Sequence, residues 1–118
     1  MYRSGFEEQV AKSLKRDKVK FEYESEKIPY VQPSVNRKYT IDFKLPNGVY
    51  VETKGRFTAS DRKKMLWVKE TNPNKDIRLL FQRDNYLTKS RKTRYSDWAT
   101  KNGFKYAVGN KVPKEWLK

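Results

Sequence analysis

Two carboxylates and a lysine near the middle of the chain have the types and spacing that suit metal-dependent chemistry on phosphate. Asp42 is followed, after nine residues, by Glu52-Thr53-Lys54. Carboxylate oxygens are the ligands that hard cations such as Mg²⁺ and Mn²⁺ prefer. A lysine beside them supplies positive charge for a phosphate-transfer transition state. The spacing alone is common in basic proteins, so its weight depends on the elements that carry it.

These residues fall in a predicted β-hairpin over Tyr39–Gly55. Along the first arm, Tyr39, Ile41, Phe43 and Leu45 alternate with Thr40, Asp42 and Lys44. Along the second arm, Val49, Val51 and Thr53 alternate with Tyr50, Glu52 and Lys54. This alternation predicts one apolar face, formed by the first set of each arm, and one polar face. Between the arms, Pro46-Asn47-Gly48 suits a three-residue loop. Proline fits the second position of a type I turn, and glycine fits a following left-handed position. This loop pairs Leu45 with Val49 and so fixes the register of the two arms.

That register puts Asp42 directly opposite Glu52, with Lys54 two residues further along the same face. A two-residue loop at Asn47-Gly48 would instead place the two carboxylates on opposite faces, because a slip of one residue flips every side chain. Carboxylates that face each other across a hairpin repel, so Lys54 or a divalent cation is expected to compensate. The alternative is a solvated hairpin face on which these charges have no function.

The composition excludes several kinds of active site. The 118 residues are enough for one domain with one modest core, and 36% apolar with 14% aromatic residues predicts a small core rich in aromatic side chains. There is no cysteine, which excludes disulfides, thiolate zinc sites and cysteine nucleophiles. There is no histidine, which excludes a histidine base and a Ser-His-Asp triad. Hydrolysis would have to use carboxylates, lysine, hydroxyl groups or a metal.

The net charge of +14 is unevenly distributed. Residues 1–59 hold 12 basic and 8 acidic side chains, whereas residues 60–118 hold 16 and 6. Such an excess favours a polyanionic partner, with nucleic acid the first choice. A membrane partner is not expected, because no long apolar run or basic amphipathic helix with a wide apolar face is found. No signal peptide is visible, so an intracellular location is expected.

The first helix is predicted from Ser4 to about Arg16. Three apolar side chains at helical spacing form its stripe: Phe6, Val10 and Leu14. Glu7 borders this stripe and is expected to point inward. Ser4 and Glu7 also have the spacing of a capping box, in which the glutamate satisfies a backbone N–H group. From the sequence alone, the capping role is the favoured interpretation of Glu7.

A strand is predicted over Lys20–Pro29, with an acidic face that is unusual in so basic a chain. That face consists of Glu22, Glu24 and Glu26. It is expected either to lie against a basic surface or to face solvent. The connector Tyr30–Asn36 is expected to be extended but not a central strand, since Pro33 cannot donate a ladder hydrogen bond.

Helices and short strands alternate after the hairpin. Ser60 is expected to cap a second helix that ends at Asn72-Pro73-Asn74, and Gly103 to close a third. The predicted elements that follow the second helix are a strand at Ile77–Phe81, a polar loop at Arg83–Arg94, a helix at Tyr95–Asn102, a strand at Phe104–Val108 and a terminal helical turn at 112–117. A mixed β-sheet with helices packed on both faces is the α/β solution for this order.

Motifs along nearly the whole chain indicate one family. Asp42 and Glu52-Thr53-Lys54 match the D…ExK pattern of the PD-(D/E)xK nuclease superfamily, with Ile41 where the superfamily name has proline. The other matching segments are Arg3-Ser4-Gly5-Phe6-Glu7, Lys20-Phe21-Glu22-Tyr23-Glu24, Pro29-Tyr30-Val31, Leu45-Pro46-Asn47-Gly48, Asp61-Arg62-Lys63-Lys64 and Pro113-Lys114-Glu115-Trp116. In this order they closely resemble the phage endonuclease I family, whose members are Holliday-junction resolvases.

The resemblance implies a restriction-endonuclease-like core and an endodeoxyribonuclease that needs Mg²⁺ or Mn²⁺. The substrate it implies is branched DNA, above all four-way junctions, in the cytoplasm of a phage-infected bacterium. Asp42 and Glu52 would be metal ligands together with the backbone carbonyl of Thr53. Lys54 would orient the attacking water or stabilise the phosphorane. Glu7 would be the third catalytic carboxylate and a further metal ligand, which replaces the purely capping interpretation.

Phosphate contacts are expected from basic residues in two parts of the chain and at its start. These are Arg3, then Arg62, Lys63 and Lys64 on the second helix, then Lys89, Arg91, Lys92 and Arg94 in the polar loop. The resemblance further implies a homodimer. Residues 1–32 would be exchanged between chains, residues 33–36 would form the bridge, and residues 37–118 would form the catalytic core of the single nuclease domain 1–118.

Two other classes of function fit part of these observations. A non-enzymatic nucleic-acid-binding protein would explain the basic charge and the aromatic residues. It would have no use for three carboxylates that face a polyanion. A sequence-specific restriction-type nuclease would share the catalytic residues, but it would cut linear duplexes at defined sites.

Overall fold

Two β-sheets and three α-helices make up the fold, which a computed structural model describes for residues 2–32 and 35–118. The helices are α1 (Gly5–Arg16), α2 (Ala59–Thr71) and α3 (Tyr95–Lys101). The strands are β1 (Glu22–Tyr23), β2 (Lys27–Gln32), β3 (Val35–Thr40), β4 (Phe43–Lys44), β5 (Tyr50–Lys54), β6 (Ile77–Phe81) and β7 (Tyr106–Val108). A short 3₁₀ turn, Lys114–Leu117, follows β7.

The larger sheet has five strands in the order β1-β4-β5-β6-β7. Its first three strands are antiparallel to one another, and β5, β6 and β7 run parallel. A parallel pair needs a crossover connection, and α2 supplies it between β5 and β6. The predicted mixed sheet of an α/β protein is confirmed.

Separate hydrophobic clusters cover the two faces of this sheet. On one face α1 packs against the strands through residues that include Val10, Leu14, Val51 and Leu80. On the other face α2 and α3 pack against residues that include Met65, Ala99, Leu79 and Phe81. Leu79, Leu80 and Phe81 alternate between the clusters, as the period of two along a strand requires. The prediction of helices on both faces is confirmed.

The predicted hairpin register is confirmed, but the predicted hairpin faces need correction. Lys44 pairs with Tyr50, and the N–H of Leu45 donates to the carbonyl of Val49 at 2.8 Å. Gly48 has a φ of +91°, the left-handed conformation that the loop requires. Tyr50, expected on the polar face, is buried in the cluster beneath α2 and α3. Because β5 lies inside the sheet with helices over both faces, neither of its faces is fully open to solvent.

The first hairpin arm is not one continuous strand. β3 ends at Thr40, and β4 begins at Phe43 after an irregular step at Ile41-Asp42. β3 belongs instead to a second, two-stranded sheet with β2, paired from Lys27 opposite Thr40 to Gln32 opposite Val35. The break matters for function because it resets the alternation of side chains just before Asp42.

The second sheet corrects one further prediction for this region and agrees with another. The strand predicted at Lys20–Pro29 divides into β1 and β2. The described residues of the connector Tyr30–Asn36 are extended, as predicted, and belong to β2 and β3 rather than to a central strand of the larger sheet. Of the predicted bridge at 33–36, residues 33 and 34 lie outside the described part of the chain. The exchange of residues 1–32 between chains stays a prediction.

The second sheet lies against α2. The rings of Tyr30 and Trp67 stack with centroids 6.5 Å apart. The N–H of Val31 donates to the Thr71 hydroxyl at 2.9 Å, and the side-chain amide of Asn72 donates to the Pro29 carbonyl at 2.7 Å. These contacts hold β2 against α2. Because β3 pairs with β2, they also fix the residues that lead into Asp42.

Helix ends mostly follow the sequence signals. Ser4 caps α1 and accepts a hydrogen bond from the N–H of Glu7. The cap of α2 is Thr58 and not Ser60, because Thr58 and Asp61 form a complete capping box. Asn102 ends α3, and Gly103 follows with a φ of +76°. No helix in the described part of the chain is both long and apolar enough to cross a membrane.

Candidate active site

A pocket of about 400 Å³ opens where the start of α1, the end of β3 and the outer end of β5 meet. The four residues predicted to be catalytic all line it: Glu7, Asp42, Glu52 and Lys54. Glu7 comes from α1, Asp42 from the step between β3 and β4, and the other two from β5. The fold thus brings together residues that are up to 47 positions apart in the sequence, from 7 to 54.

Hydrogen bonds from neighbouring groups of the hairpin hold the carboxylates of Asp42 and Glu52 in place. The N–H of Asp42 donates to Oε1 of Glu52 at 3.1 Å. Oδ2 of Asp42 accepts from the N–H of Thr53 at 2.9 Å and from the Thr53 hydroxyl at 2.7 Å. Both carboxylates are almost fully buried, with 7% and 3% of their surface exposed. The hairpin therefore fixes two negative groups side by side with little water around them.

Burial of two neighbouring carboxylates makes their ionisation unfavourable. Burial, and then the negative charge of Glu52, raise the pKa of Asp42 to about 8, and the two hydrogen bonds from Thr53 oppose this shift. Burial also raises the pKa of Glu52, against the opposing effects of Lys54 and Tyr39. A positive ion between such groups would favour their charged forms. The pocket thus has an electrostatic need for a cation.

Lys54 supplies part of the positive charge beside these carboxylates, and Tyr39 holds its ammonium group in place. Nζ of Lys54 lies 3.5 Å from Oε2 of Glu52 and 3.7 Å from Oδ1 of Asp61. It donates to the hydroxyl of Tyr39 at 3.1 Å, and that hydroxyl donates to Oε2 of Glu52. Burial, and then the Glu52 charge, raise the pKa of Tyr39, so its hydroxyl keeps its proton. Tyr39 is therefore a neutral bridge between a lysine and a carboxylate.

Tyr39 is the main site residue that sequence reasoning missed. Strict alternation placed it on the apolar face with Ile41, because Tyr39 and Asp42 are an odd number of residues apart. The irregular step at Ile41-Asp42 turns the side chains of Tyr39 and Asp42 toward the same pocket. No local signal in the sequence marks that step.

Glu7 helps to cap α1 through its backbone and reaches the pocket wall with its carboxylate. Its backbone N–H donates to the Ser4 hydroxyl at 3.1 Å, which is one half of a capping box. Its carboxylate, however, accepts from the N–H of Arg3 at 3.1 Å and from the hydroxyl of Tyr23. The start of α1 thus fixes a carboxylate that is only 8% exposed at the wall of the pocket.

A second carboxylate near Glu7 was not predicted as a site residue. Glu7, Glu24 and Asp42 each offer a carboxylate oxygen, and these oxygens lie within 4.8 Å of one another. Glu24 also forms an ion pair with Arg3 at 3.0 Å. The unusual acidic face of the predicted first strand was the signal for it. Of the two explanations for that face, contact with basic groups is the right one for Glu24.

These oxygens fit a hard divalent cation. The donors are carboxylates, they are largely buried, and Asp42 belongs to both the Glu52 pair and the Glu7–Glu24 group. The acidic cluster is therefore able to hold a metal ion, and the raised pKa of Asp42 is the electrostatic reason to expect one. The predicted role of the Thr53 carbonyl stays a prediction.

The predicted DNA-contacting residues lie in different surroundings. Arg3 and Lys64 line the pocket, as does Lys38, which was not predicted. Lys63 is exposed on α2, whereas Arg62 donates to the carbonyl of Phe57 at 2.8 Å. The remaining four line or flank a separate concave surface formed by the loop at 83–94: Lys89, Arg91, Lys92 and Arg94.

Arg94 is more constrained than the other loop residues. Its guanidinium lies 4.3 Å from the centre of the Tyr86 ring. It also donates to the Tyr86 hydroxyl at 2.8 Å and to the Asp84 carbonyl at 3.0 Å. Its charge is thus positioned by the loop, although Arg94 is exposed like Lys89, Arg91 and Lys92.

A mixed α/β sheet whose central hairpin carries buried carboxylates and a lysine into a pocket lined by acidic and basic side chains has the features of a nuclease. The chain belongs to the phage endonuclease I family, whose model matches residues 1–118. It is 46% identical to Endonuclease I of Escherichia phage T7 over 118 residues, which cover 99% of this chain and 78% of that protein. It is 43% identical to Endodeoxyribonuclease 1 of Enterobacteria phage T3 over 121 residues, which cover 97% and 80%.

Proposed function

We propose that this protein is an endodeoxyribonuclease that cuts branched DNA, especially four-way junctions, by hydrolysis of phosphodiester bonds with Mg²⁺ or Mn²⁺. The observation that carries the proposal is the convergence of Glu7, Asp42, Glu52 and Lys54 in one pocket, with the three carboxylates buried. The net charge of +14 supports a nucleic-acid substrate. The names of the two relatives describe endonucleases, and one of them specifies DNA.

In this mechanism Asp42 and Glu52 would hold the cation, and Glu7 and Glu24 would offer further carboxylate oxygens near Asp42. When bound, the cation supplies Lewis-acid chemistry, which lowers the pKa of water and neutralises charge on the phosphate. Thr53 orients the Asp42 carboxylate through its N–H and its hydroxyl. The absence of histidine leaves no imidazole base to compete with this route.

Lys54 is placed to stabilise the negative charge that develops on the phosphorane. Its side chain is 12% exposed, and Tyr39 and Glu52 hold its ammonium group at the pocket wall. Preorganised charge of this kind acts more strongly in the transition state than in the ground state. A role in rate more than in affinity follows for Lys54.

Affinity for DNA is assigned to the surrounding basic residues. Arg3, Lys63 and Lys64 near the pocket, with Lys89, Arg91 and Lys92 in the loop, are proposed to contact phosphates. Binding should then fall steeply with salt, with a log–log slope of about 0.9 for each phosphate neutralised. A nearly flat dependence of junction affinity on salt would contradict this assignment.

The substrate is tested by cleavage of a four-way junction beside a linear duplex of the same sequence. The proposal expects Mg²⁺-dependent cutting near the branch point and little cutting of the duplex. Cutting of the duplex at defined sites would favour the restriction-type alternative. Tight junction binding without cleavage in Mg²⁺ or Mn²⁺ would favour the non-enzymatic binder.

A homodimer with exchanged residues 1–32 is part of the proposal. A junction has two strands to cut, and a symmetric dimer offers two active sites. After exchange, Glu7 of one chain would complete the site that holds Asp42, Glu52 and Lys54 of the other. Bridge residues 33–36 include Pro33, whose ring restricts the backbone.

Co-refolding of two inactive variants tests the exchange. In a swapped heterodimer of Glu7→Ala with Asp42→Ala, both lesions fall in one site and the other site is wild-type. Nicking of one junction strand should then return. Without exchange, each site keeps one lesion and the mixture stays inactive. A monomer by light scattering, or no rescue in proven heterodimers, would rule out the swapped arrangement.

A further inference from the structure

A second concave surface adjoins the candidate active site, and we refer to it as the α2 groove. It has a volume of about 480 Å³ and runs between the β2–β3 sheet and α2. The residues that matter to the argument line it from both sides: Tyr30, Arg37, Lys38, Lys63, Lys64 and Trp67. Lys63 and Lys64 were expected to contact DNA, whereas no DNA contact was expected of Arg37, Lys38 or Trp67.

The α2 groove and the active-site pocket are continuous. Tyr30, Lys38 and Lys64 line both of them. Nζ of Lys64 also lies 5.7 Å from the centre of the Tyr39 ring, and the Tyr39 hydroxyl donates a hydrogen bond to Glu52. A linear polymer bound in the pocket would therefore continue directly into the groove in this direction.

The charges in the groove are not balanced by the protein. Its lining contains four cationic side chains and no carboxylate. Within the described part of the chain, the ion pairs closer than 4.0 Å involve none of these four cations, whereas Lys54 has Glu52 and Asp61 near it. Arg37, Lys38 and Lys63 are exposed. Uncompensated positive charge in a concave surface attracts anions.

We propose that the α2 groove binds the phosphates of the cleaved DNA strand immediately beside the phosphodiester that is cut. This inference rests on the proposed function. DNA is covalently continuous, so the phosphates next to the one in the pocket must lie just outside it. The groove is a place next to the pocket where positive charge is available for them. Trp67, held by stacking on Tyr30 with an interplanar angle of 8°, adds a flat surface for a sugar or base.

Continuity with the pocket favours DNA over a protein partner. An acidic segment of another protein would match the charge equally well, but it would have no reason to meet the groove at the end that holds the carboxylates. A DNA strand whose phosphodiester lies in the pocket, by contrast, has to continue past that end. The protein partner is therefore kept as an outcome of the test.

The chain has no cysteine, which allows a single reactive thiol to be placed at will. In an Asp42→Ala background, Lys38→Cys or Lys63→Cys would carry a tethered iron–EDTA group. After binding to an end-labelled four-way junction, radical scission should fall within a few nucleotides of the wild-type cut position, on one side of it. Lys111→Cys is the control, because it lines a different concave surface beside α1.

The outcomes separate this inference from the proposed function. If the wild-type protein cuts the junction but the Lys38 and Lys63 tethers give no scission above that of Lys111, the groove inference is wrong. If the wild-type protein does not cut, the proposed function fails, while scission near the branch point from Lys38 would still support the groove as a DNA contact. Absence of scission together with capture of an acidic peptide would favour the protein partner and overturn the inference.

A charge-matched pair of double variants gives a second measurement. Lys38→Gln with Lys63→Gln should weaken junction binding several-fold and lower its salt slope by about 2, roughly 1 for each phosphate that is no longer neutralised. Lys12→Gln with Lys111→Gln removes the same charge on the α1 side. It should leave the slope nearly unchanged. Equal effects of the two pairs would mean that net charge alone matters, and would contradict a specific groove.

Discussion

Two clusters in this protein are built from the same parts, a tyrosine, a glutamate and two lysines, in very different surroundings. In the pocket, Tyr39 donates to Glu52, and the ammonium groups of Lys54 and Lys64 each lie 5.7 Å from the centre of its ring. Elsewhere, as the second cluster, Tyr50 donates to Glu26 at 2.6 Å, and Lys44 and Lys75 lie 5.6 Å and 5.5 Å from its ring.

The environments of the two glutamates decide the properties of the clusters. The side chain of Glu26 is 34% exposed, and Lys44 donates to it at 2.9 Å. Hydrogen bonds from Tyr50 and Lys44 lower the pKa of Glu26. The side chain of Glu52 is 3% exposed, and burial raises its pKa. The charge of Glu26 is thus matched by its neighbours at the surface. In the pocket, where Asp42 adds a second carboxylate, the same kinds of neighbour do not supply enough positive charge.

This difference explains why one cluster is a candidate for catalysis and the other for stability. A carboxylate whose charge is already matched gains little from a metal ion. A buried carboxylate beside another one gains much, because the ion removes their repulsion. Parallel substitutions in the two clusters therefore test the proposed function against a matched structural control.

The largest contrast is expected for the two glutamates. Glu52→Ala removes a proposed metal ligand and should lower junction cleavage by more than the roughly 10²–10³-fold that loss of one electrostatic donor costs. Asp42→Ala should do the same. Glu26→Ala should change the rate by no more than about threefold, as for an ordinary surface change. Single-turnover cleavage with Mg²⁺ measures all three variants.

Binding experiments complete that test. Junction affinity should be kept or increased in Asp42→Ala, since the variant has one carboxylate fewer near the phosphate. Calorimetric Mn²⁺ binding should weaken in Glu52→Ala and stay unchanged in Glu26→Ala. Cleavage by Asp42→Ala at the wild-type rate would show that the metal site is wrongly assigned.

The next contrast concerns the lysines that pair with these glutamates. Lys54→Ala should slow cleavage by roughly 10²–10³-fold while affecting junction affinity much less, because its charge acts in the transition state. Lys44→Ala should leave the rate nearly unchanged. The measurement compares, for each variant, the change in cleavage rate with the change in the dissociation constant for the junction. If Lys54→Ala weakened only binding, it would be one phosphate contact among many.

The tyrosine hydroxyls should give a smaller contrast. Tyr39→Phe keeps the ring between Lys54 and Lys64 but removes the bridge to Glu52. A hydrogen bond to a charged group contributes about 1.5–3 kcal/mol, so a decrease of at least about tenfold in rate is expected if the bridge positions Lys54. Tyr50→Phe removes the matching bond to Glu26 and should change only thermal stability. If Tyr39→Phe left both kcat and KM unchanged, Tyr39 would contribute only to packing.

The comparison also shows which features the sequence could reveal. The hairpin register and the position of Glu52 opposite Asp42 follow from local turn chemistry at Pro46-Asn47-Gly48, which the structure confirms. The cap at Ser4 and the end of α3 are local in the same sense. Such features depend on a few neighbouring residues, so periodicity and turn propensities are sufficient to find them.

Features that depend on distant partners were not predictable in this way. Tyr39 enters the pocket because the chain breaks its strand at Ile41-Asp42 to move between two sheets. Glu26 finds its partners 18 and 24 residues away, at Lys44 and Tyr50. Glu24 approaches Glu7 and Asp42 only when β1 pairs with β4. Strand breaks and sheet changes are set by tertiary packing, and the sequence pattern around them is ambiguous.

The smallest effect is expected from titration of the second cluster. The folded-state pKa of Glu26 lies below its ordinary value of 4.5. Its interactions therefore stabilise the fold above that pH, and the contribution disappears as pH falls through the lowered pKa. Glu26→Gln keeps the shape and an acceptor oxygen but removes the charge. Because Glu26 is partly exposed, the Tm of this variant at pH 7 should fall by only about 1–3 °C.

The pH dependence separates this effect from a simple change of net charge. The Tm difference between wild type and Glu26→Gln should shrink steadily as the pH is lowered below 4.5, because the wild-type glutamate then becomes neutral in both states. Glu115→Gln, at an exposed position of the terminal turn, removes the same charge without this cluster and should show little difference at pH 7. Calorimetric scans of the three proteins from about pH 7 to about pH 3 provide the measurement. A Tm difference that persists undiminished at the acid end would mean that Glu26 contributes through packing, and that the charge balance assigned to the second cluster is wrong.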